Sequence, residues 1–442
     1  MRKIAVRKRN VLVFPAGTEI GLEIFHALKS CKELRVFGAG QNVSNHAKFV
    51  YPEYHDLPSI HEEGWLESLI SVCSKLEIDY IFPAYDDVIV ALSEVADRIP
   101  AALITSSLET CRITRSKTAT YSALAGKVRV PHVFYSASEI VNYPVLVKPD
   151  RGQGSQSVGI VDSVAELDHV LRKIRDPIIC EYLPGEEFTV DCFSDRERGL
   201  LFAGVRSRRR IRNGISVNTV TEQLPEVGQI ANVIGRTLNL RGAWFFQLKR
   251  ALTGELTLLE VAPRIAGAMA AHRVIGVNFP LLSIFEYERL NIKLLINPGE
   301  VELDRALSNR YRYQLAFNTA YIDLDDTLIV NGQVNLQVIK FIYQCINQGK
   351  QVKLITRHLE DLGKVLRKHR LLSLFDDVIH ITAGMLKSSV ITERDAIFID
   401  DSFSERMDVS QICGIPTFDG SMLEVLTERI ECINGENDDR ST

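Results

Sequence analysis

The strongest constraint on how this chain folds is the alternation of short β-rich runs with helical patterns near both ends, a texture that the middle of the sequence does not share. Residues 11–15, 34–38, 80–83 and 102–104 read as strands, and 20–28, 65–76 and 88–96 carry apolar residues at helical spacing. That βαβα order predicts an open parallel sheet. The order returns near Tyr313, with strands over 320–323, 352–355 and 396–400 and helices over 336–345 and 359–369, predicting a second, doubly wound parallel sheet. Between them, from about 116 to 298, longer β segments joined by turns read as α+β. Asn297-Pro298-Gly299 breaks the pattern and puts a linker over 297–312. The fold class expected is α/β multidomain, with domains over 1–115, 116–300 and 313–435 and a frayed polar tail over 436–442. A length of 442 residues supports this division, because single cores usually stop growing near roughly 250–300 residues.

Composition narrows the class. Apolar residues make up 46% and charged residues 24%, enough to fill cores and unlike a disordered chain. A net charge of −4 gives no whole-chain attraction to nucleic acid or to an anionic membrane. The eight cysteines include no Cys-x-x-Cys pair, which argues against a zinc module or a disulfide framework and fits a reduced compartment. The basic start is followed only by the short apolar run Val11 to Phe14, less than a signal peptide or a spanning helix needs. The expectation is a cytoplasmic protein with neither nucleic-acid nor membrane partners. Gly17 and Gly21 in PAGTEIG lack the usual dinucleotide spacing and read as a structural turn.

The middle segment carries the first chemistry. A buried-type strand ends in Lys148, and directly after it comes a glycine- and serine-rich loop containing Gly154 and Ser155. Such a loop brings backbone N–H groups and hydroxyls against phosphate oxygens, and the lysine adds positive charge. A hairpin connection with a snorkelling lysine is the alternative. Downstream, Glu181-Tyr-Leu183-Pro-Gly-Glu-Glu187 joins two strands, and Gln247 and Glu260 place a carboxamide and a carboxylate on neighbouring strands, oxygen donors of the kind magnesium takes. Glu260 opens the run Glu-Val-Ala-Pro-Arg264.

This order of motifs resembles the ATP-grasp superfamily, in its branch of carboxylate–amine ligases like the carbamoyl-phosphate synthase large subunit, over about residues 10–300. The resemblance implies a Rossmann-like domain ahead of an ATP-grasp domain. It gives Lys117 and Lys148, with the Gly154–Ser155 loop, to the phosphates of ATP. The stretch around Glu181 and Leu183 would meet adenine, Glu187 the ribose, Gln247 and Glu260 magnesium, and Arg264 the reacting phosphoryl group. The family usually has asparagine two positions after the metal glutamate, whereas this chain has Ala262. The chemistry implied turns a carboxylate into an acyl phosphate that an amine then attacks. Arg206-Ser-Arg-Arg-Arg210-Ile-Arg212 holds five arginines in seven positions without interleaved aromatics. It is read either as a solvated strand edge or as part of a substrate pocket, with Arg206 and Arg210 the candidates.

The last segment carries a second chemistry. Tyr321-Ile-Asp323-Leu-Asp325-Asp326-Thr327 sets carboxylates at the end of a strand, where open parallel sheets place ligands. Asp323 is suited to attack phosphorus, and Asp325 to protonate a leaving group and then activate water. Acids so close repel one another without magnesium. Thr356 at the end of the next strand, Lys387, and Asp400-Asp401 follow in order. Together they resemble the haloacid dehalogenase-like (HAD) phosphatases. The resemblance gives Thr356 and Lys387 to the phosphoryl oxygens and Asp323, Asp325, Asp400 and Asp401 to magnesium. Short intervals between the motifs imply a member without a large cap, so that preceding domains would wall its site. The whole is expected to be a bifunctional ligase and phosphatase acting on a small-molecule carboxylate, an amine and a phosphate ester. The alternative is that one half is catalytic and the other binds or regulates.

Overall fold

A computed structural model describes residues 7–152, 158–311, 313–381 and 384–427. The loop candidates Gly154 and Ser155 and the tail over 436–442 lie outside the described residues. The chain divides into two compact units, the first ending at Leu307 and the second beginning at Ser308.

The first unit opens with strands β1 (Arg9–Phe14), β2 (Leu34–Gly40), β3 (Tyr54–Asp56), β4 (Ile78–Pro83) and β5 (Ala102–Leu103), paired in the order β3-β2-β1-β4-β5. All their pairings are parallel. Helices α1 (Glu19–Leu28), α2 (Trp65–Lys75) and α3 (Asp86–Glu94) connect them. The start of α1 shows what the glycine turn does. Thr18 caps it by accepting from the Gly21 backbone N–H, and a Cβ on Gly21 would lie 2.4 Å from the Ala16 carbonyl oxygen. Glycine is needed there for close approach of backbone to backbone.

Helices α4 (Leu108–Arg115) and α5 (Lys117–Leu124) lead into a four-stranded antiparallel sheet. It comprises β6 (Val133–Phe134), β7 (Val145–Pro149), β8 (Gly159–Val161) and, after α6 (Val164–Lys173), β9 (Pro177–Glu181), in the order β6-β9-β7-β8. A six-stranded antiparallel sheet follows. Its strands are β10 (Glu187–Asp195), β11 (Gly199–Arg212), β12 (Ile215–Glu222), β13 (Gly242–Arg250), β14 (Leu256–Ala262) and β15 (Glu302–Asp304), in the order β14-β13-β10-β11-β12-β15. Helix α7 (Val227–Thr237) covers one face, where Phe188, Val190, Val205, Trp244 and Phe246 are buried with Val227, Ala231 and Ile234. Alternate residues of each strand line that core, so their neighbours face the other way, toward the cavities described below. Helices α8 (Ala270–Arg273) and α9 (Phe279–Tyr287) precede β15, and the residues around them share one apolar core with the parallel sheet. The two sheets on either side of residue 116 therefore belong to one compact unit.

The second unit is built on strands β16 (Thr319–Ile322), β19 (Gln351–Thr356), β20 (Asp377–His380), β21 (Ala396–Ile399) and β22 (Thr417–Phe418), with a small ribbon of β17 (Ile329–Val330) and β18 (Gln333–Val334). The five-stranded sheet runs β20-β19-β16-β21-β22, with every pairing parallel. Helices α10 (Leu336–Asn347), α11 (Leu362–Lys368) and α12 (Phe403–Cys413) form the connections. Sheet residues pack into two separate clusters, one with Phe341 and Ile342 of α10 and another with Val409 and Cys413 of α12. Among the described residues, no helix is long and apolar enough to cross a membrane.

Candidate functional sites in the two units

In the first unit a cavity of about 350 Å³ is lined by residues from both antiparallel sheets and from the start of α5. Lys117, Lys148, Glu181, Leu183, Glu187, Gln247 and Glu260 all line it. Each arrives for a local reason. Ser116 caps α5, putting Lys117 at the first position of that helix. Lys148 sits near the end of β7, 6% exposed, with Nζ donating to the Tyr121 hydroxyl at 2.9 Å. Gln247 and Glu260 are direct partners across β13 and β14, so both point to the same face. Neither makes a side-chain hydrogen bond or ion pair among the described residues.

Burial holds both Lys148 and Lys117 below the usual lysine range, with Glu260 opposing in each case. An anion entering the cavity would favour their charged form. Two expected ligand residues are already engaged. Glu181 takes Arg129 in a forked pair at 2.9 and 3.4 Å, and one Glu187 oxygen lies 2.7 Å from Arg208 Nε. The Glu181 carboxylate thus ties down the start of the turn through Leu183.

A second cavity of about 230 Å³ adjoins the first through Gln247 and Glu260, which line both. Arg264 lines it, but in the grip of Asp86, which accepts from Nε and, at 3.0 Å, from Nη2; Nη1 donates to the Ile265 carbonyl at 3.1 Å. Burial works against the Asp86 charge, yet Arg264, helped by Arg115 and Lys117, holds its carboxyl below the usual range. Arg206 also lines this cavity. Its Nε and Nη2 donate to fully buried Asp191 at 2.9 and 3.2 Å, and Asp191 in turn meets His272 Nδ1 at 2.9 Å. Arg206 Nη1 is buried without a partner. Arg210 is not brought to either cavity: register shifts on both sides of it in β11 turn it to the sheet edge, where it pairs with Asp304 at 2.8 Å. Arg208 lies in the wall instead, together with Arg305 and Glu19. Period-two alternation from Arg206 could have found Arg208; nothing local marks Arg305.

In the second unit Asp323 follows β16, Thr356 ends β19 and Asp400 follows β21, so three adjacent parallel strands deliver side chains at their carboxyl ends. One oxygen each of Asp323, Asp400 and Asp401 lies within 4.8 Å of the others. Lys387, 4% exposed, donates to Asp323 at 2.6 Å and to Asp400 at 2.5 Å. Burial, opposed by Lys387 and reinforced by Asp400, pushes the Asp323 carboxyl up to about 7. Three acids lie together and Lys387 answers two of them, and an all-oxygen donor set suits a hard divalent cation. Thr327 accepts from the Asp401 backbone N–H at 2.9 Å and fixes that turn. Thr356 is fully buried, and its hydroxyl accepts from the His358 backbone N–H. Asp325 stands outside the three-carboxylate cluster, half exposed and facing His358 Nδ1 at 2.9 and 3.0 Å. Sequence reasoning missed His358.

Comparison with known proteins places the first unit. Residues 173–295 match a family model described as ATP-grasp in the biosynthetic pathway with Ter operon. Over 328 residues the chain is 23% identical to the arginine-specific large chain of carbamoyl phosphate synthase from Bacillus subtilis, covering 68% of this chain. It spans only 30% of that relative's length. A biotin carboxylase from Campylobacter jejuni superposes with a TM-score of 0.56 at 15% identity, over 67% of this chain and 75% of that one. An L-amino acid ligase from Bacillus licheniformis superposes with a TM-score of 0.52 at 18% identity, over 66% and 75% of the two chains. About two thirds of the chain therefore has the ATP-grasp fold.

Proposed function

We propose that this chain, two thirds of it built on the ATP-grasp fold, is an ATP- and magnesium-dependent carboxylate–amine ligase joined to an aspartate-nucleophile phosphatase. The observation that carries the ligase half is the meeting of Lys117, Lys148, Glu187, Gln247 and Glu260, drawn from five separate elements, on one cavity of about 350 Å³. In this reading the two lysines hold phosphate oxygens, which favour their charged form. The turn from Glu181 to Leu183 lies against the base, and Glu187 lies beside the ribose. Gln247 and Glu260 would hold magnesium, which supplies positive charge at the transferring phosphoryl group. The substrate carboxylate attacks the γ-phosphorus and the bond to ADP breaks. Nitrogen of the amine then attacks the acyl carbon, phosphate leaves, and the amine gives up a proton. Arg264, oriented by Asp86, and Arg206, oriented by Asp191, stand over the second cavity, where the carboxylate would lie.

The phosphatase half rests on the cluster of Asp323, Asp400 and Asp401 at the carboxyl ends of adjacent strands, with Lys387 bridging Asp323 and Asp400. Asp323 attacks phosphorus, the ester oxygen leaves with a proton from Asp325, and water activated by Asp325 hydrolyses the aspartyl phosphate. Thr356 and Lys387 hold the phosphoryl oxygens; Asp323, Asp400 and Asp401, with Asp325 at their rim, would hold magnesium. The test is direct. Sustained ADP release over many turnovers should require a carboxylate and an amine together, and magnesium-dependent release of phosphate from an aryl phosphate should vanish in Asp323→Asn. ADP release indifferent to both co-substrates overturns the first assignment, and full hydrolysis in Asp323→Asn overturns the second.

A further inference from the structure

Most charges around the second cavity of the first unit are already committed. Arg264 is spent on Asp86, Arg208 on Glu187, and two donors of Arg206 on Asp191. Glu260, shared with the first cavity, is left for its metal, and two further opposite charges remain. The Arg305 guanidinium and the Glu19 carboxylate line the cavity, and neither makes a hydrogen bond or close ion pair among the described residues. Burial lowers the Arg305 pKa, with Glu19 opposing through space. They come from far apart in the sequence: Glu19 is the first residue of α1, and Arg305 follows the edge strand β15, beyond the matched family segment of 173–295.

What brings them together is Gly267. A Cβ there would stand 2.7 Å from Arg305 Nη2 and 2.8 Å from Glu19 Cγ, so a side chain at this position would push both groups aside. Arg206 Nη1, buried and unpartnered, is a third unspent group on the same wall. An unpaired buried guanidinium N–H is costly, and a ligand oxygen would relieve it. The cavity of about 230 Å³ has the space of about eight water molecules at roughly 30 Å³ each, which suits a small molecule.

We infer that Arg305 and Glu19, set on either side of Gly267, read a zwitterion: the second cavity takes a small molecule of the α-amino acid class, with its carboxylate at Arg305 and Arg206 Nη1 and its ammonium at Glu19. This names a substrate class for the ligase reading and rests on that reading only for the role of the neighbouring cavity. A bare carboxylate leaves Glu19 unanswered, and a bare amine leaves Arg305 unanswered. Either loses one charge-assisted contact that the zwitterion makes.

The experiment is calorimetric binding to the full chain, with L-amino acids, their deamino acids and their decarboxylated amines as probes. At least one amino acid should bind ten-fold or more tightly than both of its truncated counterparts. Arg305→Gln and Glu19→Gln should each weaken it by ten-fold or more, and Gly267→Ala should do the same by displacing both groups, while magnesium-ATP binds within two-fold of wild type and so reports an intact fold. Tighter binding of the deamino acids, or amino-acid affinity indifferent to Arg305→Gln and Glu19→Gln, overturns the inference. Amino-acid binding with the expected losses but without ADP release would uphold the zwitterion site and overturn the ligase reading instead.

Discussion

Replacing Lys387 by methionine and Asp323 by asparagine should separate stability from chemistry in the second unit. Lys387 Nζ lies between Asp323 and Asp400, all three almost fully buried. Methionine keeps the apolar stem but leaves two carboxylates facing each other with no cation. Removing one partner of a buried ion pair typically costs about 3–5 kcal/mol. For a unit of this size that is on the order of 10–20 °C in melting temperature. Asparagine at 323 has the opposite balance. The Lys387–Asp400 pair survives, one like-charge contact is relieved, and a hydrogen-bond acceptor for Lys387 remains, so the change in stability should stay within about 1 kcal/mol. Hydrolysis of p-nitrophenyl phosphate with magnesium should nevertheless be lost, because a neutral amide is no nucleophile. Scanning calorimetry of the full chain without added metal, beside the hydrolysis assay, checks both arms. A Lys387→Met protein that melts like wild type would refute the compensating role of the lysine, and an active Asp323→Asn would refute the nucleophile.

Lys148→Ala removes one charge-assisted phosphate contact worth about 1.5–3 kcal/mol, so the Kd for magnesium-ATP by calorimetry should rise about 10- to 150-fold; an unchanged Kd sinks the cradle. Burial opposes the Asp191 charge, but Arg206 and His272 outweigh it and hold the carboxyl below the usual range. Its stabilisation is therefore present above the ordinary carboxylate range and is lost as pH falls through the lower native value. Asp191→Asn should cost about 3–5 kcal/mol in urea unfolding at pH 7 by stranding the Arg206 charge, and the gap from wild type should narrow below about pH 4; a gap independent of pH contradicts the assignment. Ala262→Asn puts an oxygen donor on the same strand face as Glu260 and should lower the magnesium concentration giving half-maximal ADP release by about ten-fold; an unchanged magnesium requirement refutes a metal role for this position.

The parallel strands were legible because their apolar runs are short and bounded by helical periodicity: β1, β4, β16, β19 and β21 begin or end within a few residues of the runs at 11–15, 80–83, 320–323, 352–355 and 396–400. The positions of candidate residues held by one strand or one turn were equally visible, as with Lys148 near the end of β7 and Asp323 after β16. Two kinds of residue were not. Arg210 stands at the right spacing from Arg206, but irregular register in β11 sends it to Asp304 at the sheet edge, and a bulge leaves no mark in composition. Arg305 and Glu19 owe their meeting to tertiary packing over Gly267, and His358 meets Asp325 across two strand ends. Contacts made between distant segments have no local pattern to read.

The distribution of spent and unspent charge says which part of the first unit is waiting for a ligand. Glu181, Glu187 and Arg264 each have an ionic partner, so their orientation is set before any ligand arrives. Among the described residues, Lys148 meets only the Tyr121 side chain, by its hydroxyl and its ring, and Lys117 has a backbone carbonyl at 3.4 Å. With Glu260 unpaired among the described residues, this end of the cavity sets one buried and one half-buried lysine against one carboxylate, and burial lowers the pKa of both lysines. Such an arrangement is poorly compensated on its own and favours a polyanion, because each phosphate oxygen offsets the desolvation of a lysine. Ala262 adds nothing to that balance. It stands on the same strand face as Glu260 and takes from the site a neutral oxygen, not a charge. A missing asparagine therefore bears on the number of donors around magnesium and leaves the electrostatic attraction for the triphosphate intact, which is why phosphate binding and metal requirement should respond to different substitutions.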